Sequence, residues 1–373
     1  MSFQERCFKS TPNFKWQEDI SDRSDSLSAS YNFDCYQDKA GNVILITPYF
    51  EIEKAYELDY HICFIDLATN KVVHTLGDKD SKEPQNKRVT CVRFFKNKVE
   101  DKDYFISADT AYKVRVWNLG NNPKDCAKIF ETDIKYEGFI YSCLLIFEPG
   151  KIFAVASSIG SNNHTKVFDI NNGGNCKDLN TSNNLNVYYL DYWFNATETD
   201  KNKQHVIIQA AKSKVIFTEF PSDTQYYSID VGDDYPYIQS GLAFKQTQQN
   251  GEERDLFVFS ATYGLVVCVD IAKKVEVKRI KMQMGEVHLY SFVKWNNQYL
   301  LLNDCQQARI IVFDMFNDFD DISKIVCPEM EFHKFMRKIV HPKYGEGVLS
   351  LGIDWKIKLF VPRTSFISSE KKE

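Results

Sequence analysis

The residues best suited to chemistry in this 373-residue chain are ten cysteines, seven histidines and a few short charged clusters. The cysteines (Cys7, Cys35, Cys63, Cys91, Cys126, Cys143, Cys176, Cys268, Cys305 and Cys327) lie far apart, with no C-x-x-C pair and none of the close Cys/His spacing that a zinc site needs. Several stand in apolar runs such as Val89-Thr90-Cys91-Val92 and Val266-Val267-Cys268-Val269, where a reduced thiol behaves as a small core hydrophobe. His333 and His341 are eight residues apart and lack partner ligands, so no metal and no cofactor is expected. The acidic cluster Asp318-Phe319-Asp320-Asp321 lacks the alternating spacing and the glycine of a calcium loop and reads as a solvated turn. No Gly-rich phosphate loop, G-x-S-x-G or H-E-x-x-H occurs, and the chain reads as a non-enzyme.

Composition bounds the partners. A formal charge of −5, from 46 basic and 51 acidic residues, gives no electrostatic reason to expect a phosphate backbone, so nucleic acid is not an expected partner. With 43% hydrophobic and 14% aromatic residues there is enough apolar material for a large core. The first seven residues are too polar for a secretory signal, and the longest uncharged apolar-rich stretch, residues 138–147, is half the length of a membrane span. The expectation is a protein without a transmembrane segment, in cytoplasm or nucleus. Three N-x-S/T triplets, beginning at Asn163, Asn180 and Asn195, are what an asparagine-rich sequence produces by chance.

The elements that must position any site are short runs rich in Val, Ile, Phe and Tyr, separated by Asn, Asp, Gly and Lys, with no sustained helical periodicity. One unit recurs: a β-branched or aromatic run, an acidic or amide residue, then another apolar one. It appears as Phe64-Ile65-Asp66-Leu67, Val116-Trp117-Asn118-Leu119, Val167-Phe168-Asp169-Ile170, Phe217-Thr218-Glu219-Phe220, Cys268-Val269-Asp270-Ile271 and Val312-Phe313-Asp314-Met315, with a degenerate copy at Leu359-Phe360-Val361-Pro362. The residues before the acid or amide, 65, 117, 168, 218, 269, 313 and 360, are spaced by 52, 51, 50, 51, 44 and 47. Each interval has room for four strands. In the second unit they read as 87–95, 103–107, 113–118 and 126–131, and in the sixth as 287–294, 299–303, 309–314 and 323–327. Seven such units predict an all-β, seven-bladed propeller of four-stranded antiparallel blades. The last unit lacks an outer strand, which residues 4–9 can supply, closing the ring. Residues 1–30 are then closing strand and linker, 31–362 the propeller and 363–373 a polar tail.

The chain here resembles the WD-repeat family. The residues that carry the resemblance are Ser107-Ala108-Asp109-Thr110-Ala111-Tyr112-Lys113-Val114-Arg115-Val116-Trp117-Asn118-Leu119, the pattern Ser350 to Phe360 with Phe in the Trp slot, and Val89-x-x-Val92-x-Phe94. The Gly-His pair before the first strand is absent, and the Trp slot reads Ile, Trp, Phe, Thr, Val, Phe, Phe. A Kelch propeller fits the period, but the only Gly-Gly, Gly173-Gly174, recurs nowhere. The resemblance implies a hydrogen-bonded network of His, Asp, Ser or Thr and Trp in each blade, which this sequence could mostly assemble once, from His333, Asp354 and Ser350, with Phe360 unable to donate. Phosphoinositide-binding propellers carry Phe/Leu-Arg-Arg-Gly; this chain has no Arg-Arg, and its nearest basic run, Lys278-Arg279-Ile280-Lys281, falls in a strand-like segment.

Aligning the turns between second and third strands, five residues before each slot, gives Tyr60, Tyr112, Asn163, Ser213, Gly264, Ala308 and Trp355. The three aromatics belong to blades 1, 2 and 7, contiguous in the ring, and the next positions supply His61, Lys113 and Lys356. A long loop over residues 49–59 adds Tyr49, Phe50 and Tyr56. Rigid rings interleaved with cations suit a peptide-binding face. The expected function is a non-catalytic interaction scaffold, a monomer within a hetero-complex, binding a protein or peptide there. The alternatives are an enzyme or small-molecule binder using the central channel, and a lipid-binding propeller. Inner strands such as Val89 to Phe94 and Gly241 to Phe244 read as mainly apolar, which disfavours the first.

Overall fold

The structure, a computed structural model, describes residues 8–10, 33–54, 57–77, 89–132, 139–159, 165–180, 185–282, 289–304, 307, 309–319, 322–326, 335–351 and 357–362. It is a seven-bladed all-β propeller of four-stranded antiparallel sheets, and in the first six blades the strands follow one another in sequence order from the channel outward. Blade 1 comprises Asp34–Gln37, Val43–Lys54, Glu57–Asp66 and Lys71–Leu76, and blade 2 Val89–Asn97, Lys102–Asp109, Val114–Asn118 and Ala127–Glu131. Blade 3 runs Phe139–Glu148, Lys151–Ile159, Thr165–Asp169 and Asn175–Asp178, and blade 4 Val187–Phe194, His205–Ala211, Lys214–Phe220 and Thr224–Asp230. Blade 5 is Ile238–Thr247, Glu253–Ala261, Leu265–Asp270 and Val275–Lys281, and blade 6 Leu289–Lys294, Tyr299–Asp304, Arg309–Asp314 and Ile322–Val326. Blade 7 contributes Phe335–His341, Gly345–Leu351 and Ile357–Pro362, and takes its outer strand from Phe8–Ser10 near the other end of the chain.

That outer strand closes the ring in antiparallel register, Phe8 opposite Pro362, Lys9 opposite Val361 and Ser10 opposite Phe360. It lies at the end of the expected segment; residues 4–7 fall outside the described residues, as do the expected tail, 363–373, and most of the linker.

The repeated unit has a two-part physical cause. Its slot residue packs between blades, and all seven, Ile65, Trp117, Phe168, Thr218, Val269, Phe313 and Phe360, are buried. The acid or amide that follows folds the turn to the outer strand. In five blades its side chain accepts a nearby backbone N–H: Asp66 from Ala68 at 3.0 Å, Asn118 from Gly120 at 3.0 Å, Asp169 from Asn172 at 3.3 Å, Asp270 from Lys273 at 2.9 Å and Asp314 from Phe316 at 2.9 Å. Alternation along the strands puts half of each blade's apolar residues against each neighbour, so the core is a ring of clusters between blades rather than one centre. Close approach is tight at Gly241, where an added Cβ would lie 2.5 Å from the Phe257 ring.

Polar slots are satisfied inside this apolar setting. Trp117 Nε1 donates to Ser107 Oγ at 2.9 Å in blade 2. At the same register in blade 4, Thr218 Oγ1 donates to Gln209 Oε1 at 2.9 Å, and Gln209 Nε2 to Thr165 Oγ1 at 3.0 Å. The blade network expected in blade 7 is only partly describable: His333 and Asp354 lie outside the described residues, and buried Ser350 donates to the Phe335 carbonyl at 3.2 Å.

Burial also sets how the fold responds to acid. Desolvation holds His74, His205 and His341 below the ordinary histidine range, with Lys124 adding to the effect at His74 and Glu148 opposing it at His205. Unfolded histidines titrate near ~6.5. As pH falls below that value the unfolded chain takes up protons that the folded chain resists, so stability declines. Tm is expected to fall between about pH 7 and pH 5, less steeply in His205→Gln; a level or rising Tm over that interval would show that these rings protonate freely in the fold.

Candidate functional site

The face carrying the second-to-third strand turns also carries the heads of the inner strands, because each inner strand begins opposite the end of the second. In blade 1 the expected loop over residues 49–59 is a correction: Val43–Lys54 and Glu57–Asp66 form one long hairpin, paired out to Lys54 and Glu57. Tyr60 therefore lies within a strand opposite Phe50, and His61 opposite Tyr49. His61 is buried, not presented as a surface cation.

In blade 2, Tyr112 does occupy a turn, in the left-handed region at φ 63°. Asp109 organises it: its Oδ1 accepts Ala111 N at 2.8 Å and Lys113 N at 3.1 Å, and its carbonyl accepts Tyr112 N at 3.1 Å. The Tyr112 ring is half-buried against the cluster between blades 2 and 3, which includes Cys91, Ala108 and Val114. Lys113 pairs with Glu131, which also accepts Arg115 Nε at 2.7 Å and Lys128 Nζ at 3.1 Å. Partial burial works against the Glu131 charge, but these three cations outweigh it and hold the carboxyl down to about 2. Tyr112 and Lys113 are thus committed within the fold. Trp355, Lys356 and Tyr56 lie outside the described residues.

What the alignment of turns missed is a row of tyrosines one blade further round. Tyr141 and Tyr188 are the residues that β-bulges leave unpaired at the heads of the inner strands of blades 3 and 4. Tyr237 directly precedes the inner strand of blade 5 and is fixed by Thr262, whose N–H donates to its carbonyl at 2.9 Å. The Tyr141 and Tyr188 rings meet edge to face at 6.1 Å between centroids, and Tyr188 and Tyr237 at 5.6 Å. Tyr141 is 36% and Tyr237 48% exposed, large values for rings already packed on one another. Desolvation, with Tyr237 and Tyr141 alongside, pushes the Tyr188 phenol up.

The channel wall departs from the mainly apolar expectation. The inner-strand residue in register with the position before the slot is Asp34 in blade 1, Arg93 in blade 2, Asp191 in blade 4 and Arg337 in blade 7; blades 3, 5 and 6 place Leu144, Leu242 and Val293 there. Arg93 reaches over blade 3 to blade 4, donating from Nη1 to the Leu190 carbonyl at 2.8 Å and from Nη2 to Asp191 Oδ1 at 3.5 Å. Asp191 further accepts Tyr192 N at 2.9 Å, Ala243 N of blade 5 at 2.7 Å and the Tyr189 hydroxyl at 3.1 Å. Asp34 accepts Cys35 N at 2.9 Å, Phe94 N of blade 2 at 3.0 Å and Arg337 Nη2 of blade 7 at 3.4 Å. Both carboxylates are therefore occupied as anions by donors from three blades. Such groups tie blades together and have little capacity left for proton transfer.

The basic run considered for lipid lies in the outer strand Val275–Lys281, where Arg279 is held bidentately by Glu276 at 2.9 and 2.7 Å. Among the described residues no helix is long and apolar enough to cross a membrane.

No family model matches the chain, and no curated protein does. Among solved structures it is similar to the β-propeller domain of Myceliophteria thermophila Cps50 (Swd1), with a TM-score of 0.59 over 87% of this chain and 95% of that one. Sequence identity is 11%, so the likeness carries the propeller fold and leaves the finer WD-repeat resemblance to the residues themselves.

Proposed function

We propose that this protein is a non-catalytic interaction scaffold that takes a peptide or protein segment on the face of the second-to-third strand turns, as one member of a hetero-complex. The observation that carries the reading is the mutually packed row on that face, with Tyr141 and Tyr237 exposed on either side of the half-buried Tyr188. Tyrosines packed edge to face hold each other's rotamers, so a partner gains aromatic area at low entropic cost, and their hydroxyls remain available as directional donors and acceptors.

The test is affinity capture with the full chain, wild type against Tyr188→Ala/Tyr237→Ala, with quantitative mass spectrometry. Losing interface aromatics costs about 2 kcal/mol or more each, roughly thirty-fold in affinity. A protein retained by the wild type and lost by a variant of nearly unchanged Tm is the expected outcome. Identical captured sets would place the binding surface elsewhere.

A further inference from the structure

We propose that Cys91 and Cys143 are an oxidisable pair that forms a disulfide joining blades 2 and 3; this stands independently of the interaction reading. The two residues lie on the inner strands of neighbouring blades, Val89–Asn97 and Phe139–Glu148, and the Cys143 thiol points at Cys91 Sγ from 3.1 Å. Both are buried, at 0–1% exposure, within one apolar cluster. A disulfide bond is about 2.05 Å long, so closing the gap asks each sulfur to move by roughly 0.5 Å, within the reach of a small side-chain rotation. Room for it exists because the residue opposite each cysteine on its second strand is small, Ala108 facing Cys91 and Ala156 facing Cys143.

Burial, and after it the neighbouring Cys91, push the Cys143 thiol well up; the Arg93 guanidinium, whose Nη1 donates to the Cys143 carbonyl at 3.4 Å, opposes them only in part. With hydrogen peroxide as oxidant, one thiolate attacks a peroxide oxygen and breaks the O–O bond, giving a sulfenic acid and a hydroxide that takes up the thiol proton. The second sulfur then attacks the sulfenic sulfur, the S–O bond breaks and water leaves. Two thiols and one peroxide become one disulfide and two waters; each sulfur loses one electron and the peroxide gains two. Burial makes the first step slow, so the pair responds to sustained oxidant and not to a brief pulse.

The experiment treats the full chain with hydrogen peroxide in a time course that continues many-fold beyond the time at which the exposed Cys176 is fully oxidised, then unfolds it, blocks remaining thiols with N-ethylmaleimide and maps the peptides. The expected result is a Cys91–Cys143 linked peptide, two hydrogens lighter than its parts, together with a Tm above that of the reduced protein. In Cys91→Ser the link disappears and Cys143 is recovered as thiol or higher oxide. Recovery of both wild-type cysteines as labelled thiols or sulfinic acids, or joined to other cysteines, overturns the proposal. The wild-type map decides even if the variant does not fold.

Discussion

Asp191→Ala is expected to lower folding stability by about 3–5 kcal/mol, as removal of one partner from a buried charge pair does. The side chains of Arg93 and Asp191 are 16% and 10% exposed, so water cannot take over when the carboxylate goes. Three further donors are stranded with the guanidinium: the Ala243 amide of blade 5, the Tyr192 amide and the Tyr189 hydroxyl. The stranded charge is the larger part of the cost, which sets up a discriminating comparison. Replacing both partners with apolar side chains, Arg93→Met with Asp191→Leu, should be less damaging than Asp191→Ala alone, although Asp191 is the smaller side chain. Denaturant unfolding of Arg93→Met, Asp191→Leu and their double, beside the wild type, closes the cycle. A single-variant loss below ~1 kcal/mol would mean that the pair is solvated like a surface ion pair.

The channel layer also shows why part of this molecule was legible in its sequence and part was not. Blade number and strand order follow from a local unit, because slot residues such as Trp117 and turn-folding residues such as Asp314 do their work within a few positions of each other. Closure was legible for a different reason: a blade short of one strand leaves unpaired backbone, and a strand-like segment without a blade stood at the other end of the chain. Arg93 and Asp191 are 98 residues apart and share only a register position, which has meaning once the ring brings blades 2 and 4 to one channel. The tyrosine row was hidden by the bulges, which displace Tyr141 and Tyr188 from the alternation by one residue. A search that aligned the starts of inner strands as well as the turn tips would have found it. In blade 1 the segment read as a loop over residues 49–59 is instead the end of a long hairpin, paired out to Lys54 and Glu57.

Removing residues 1–10 is the second large perturbation, and its effect should be as much on solubility as on Tm. The strand Phe8–Ser10 covers the edge of Ile357–Pro362, whose Phe360 and Val361 are fully buried. Three residue pairs are lost, and at ~0.5–1.5 kcal/mol per net hydrogen bond the direct cost is roughly 2–4 kcal/mol. The ring does not fall open, because Phe33 and Leu45 of blade 1 still pack on Leu349, Leu359 and Val361 of blade 7. What remains is a folded propeller with one bare apolar strand edge, the template on which a second copy can pair. A chain starting at Thr11 is therefore expected to melt several degrees lower and to self-associate with rising concentration, and a synthetic peptide of residues 1–10 added in excess should reverse both changes. An unchanged Tm together with a monodisperse truncated chain would mean that these residues do not close the ring in solution.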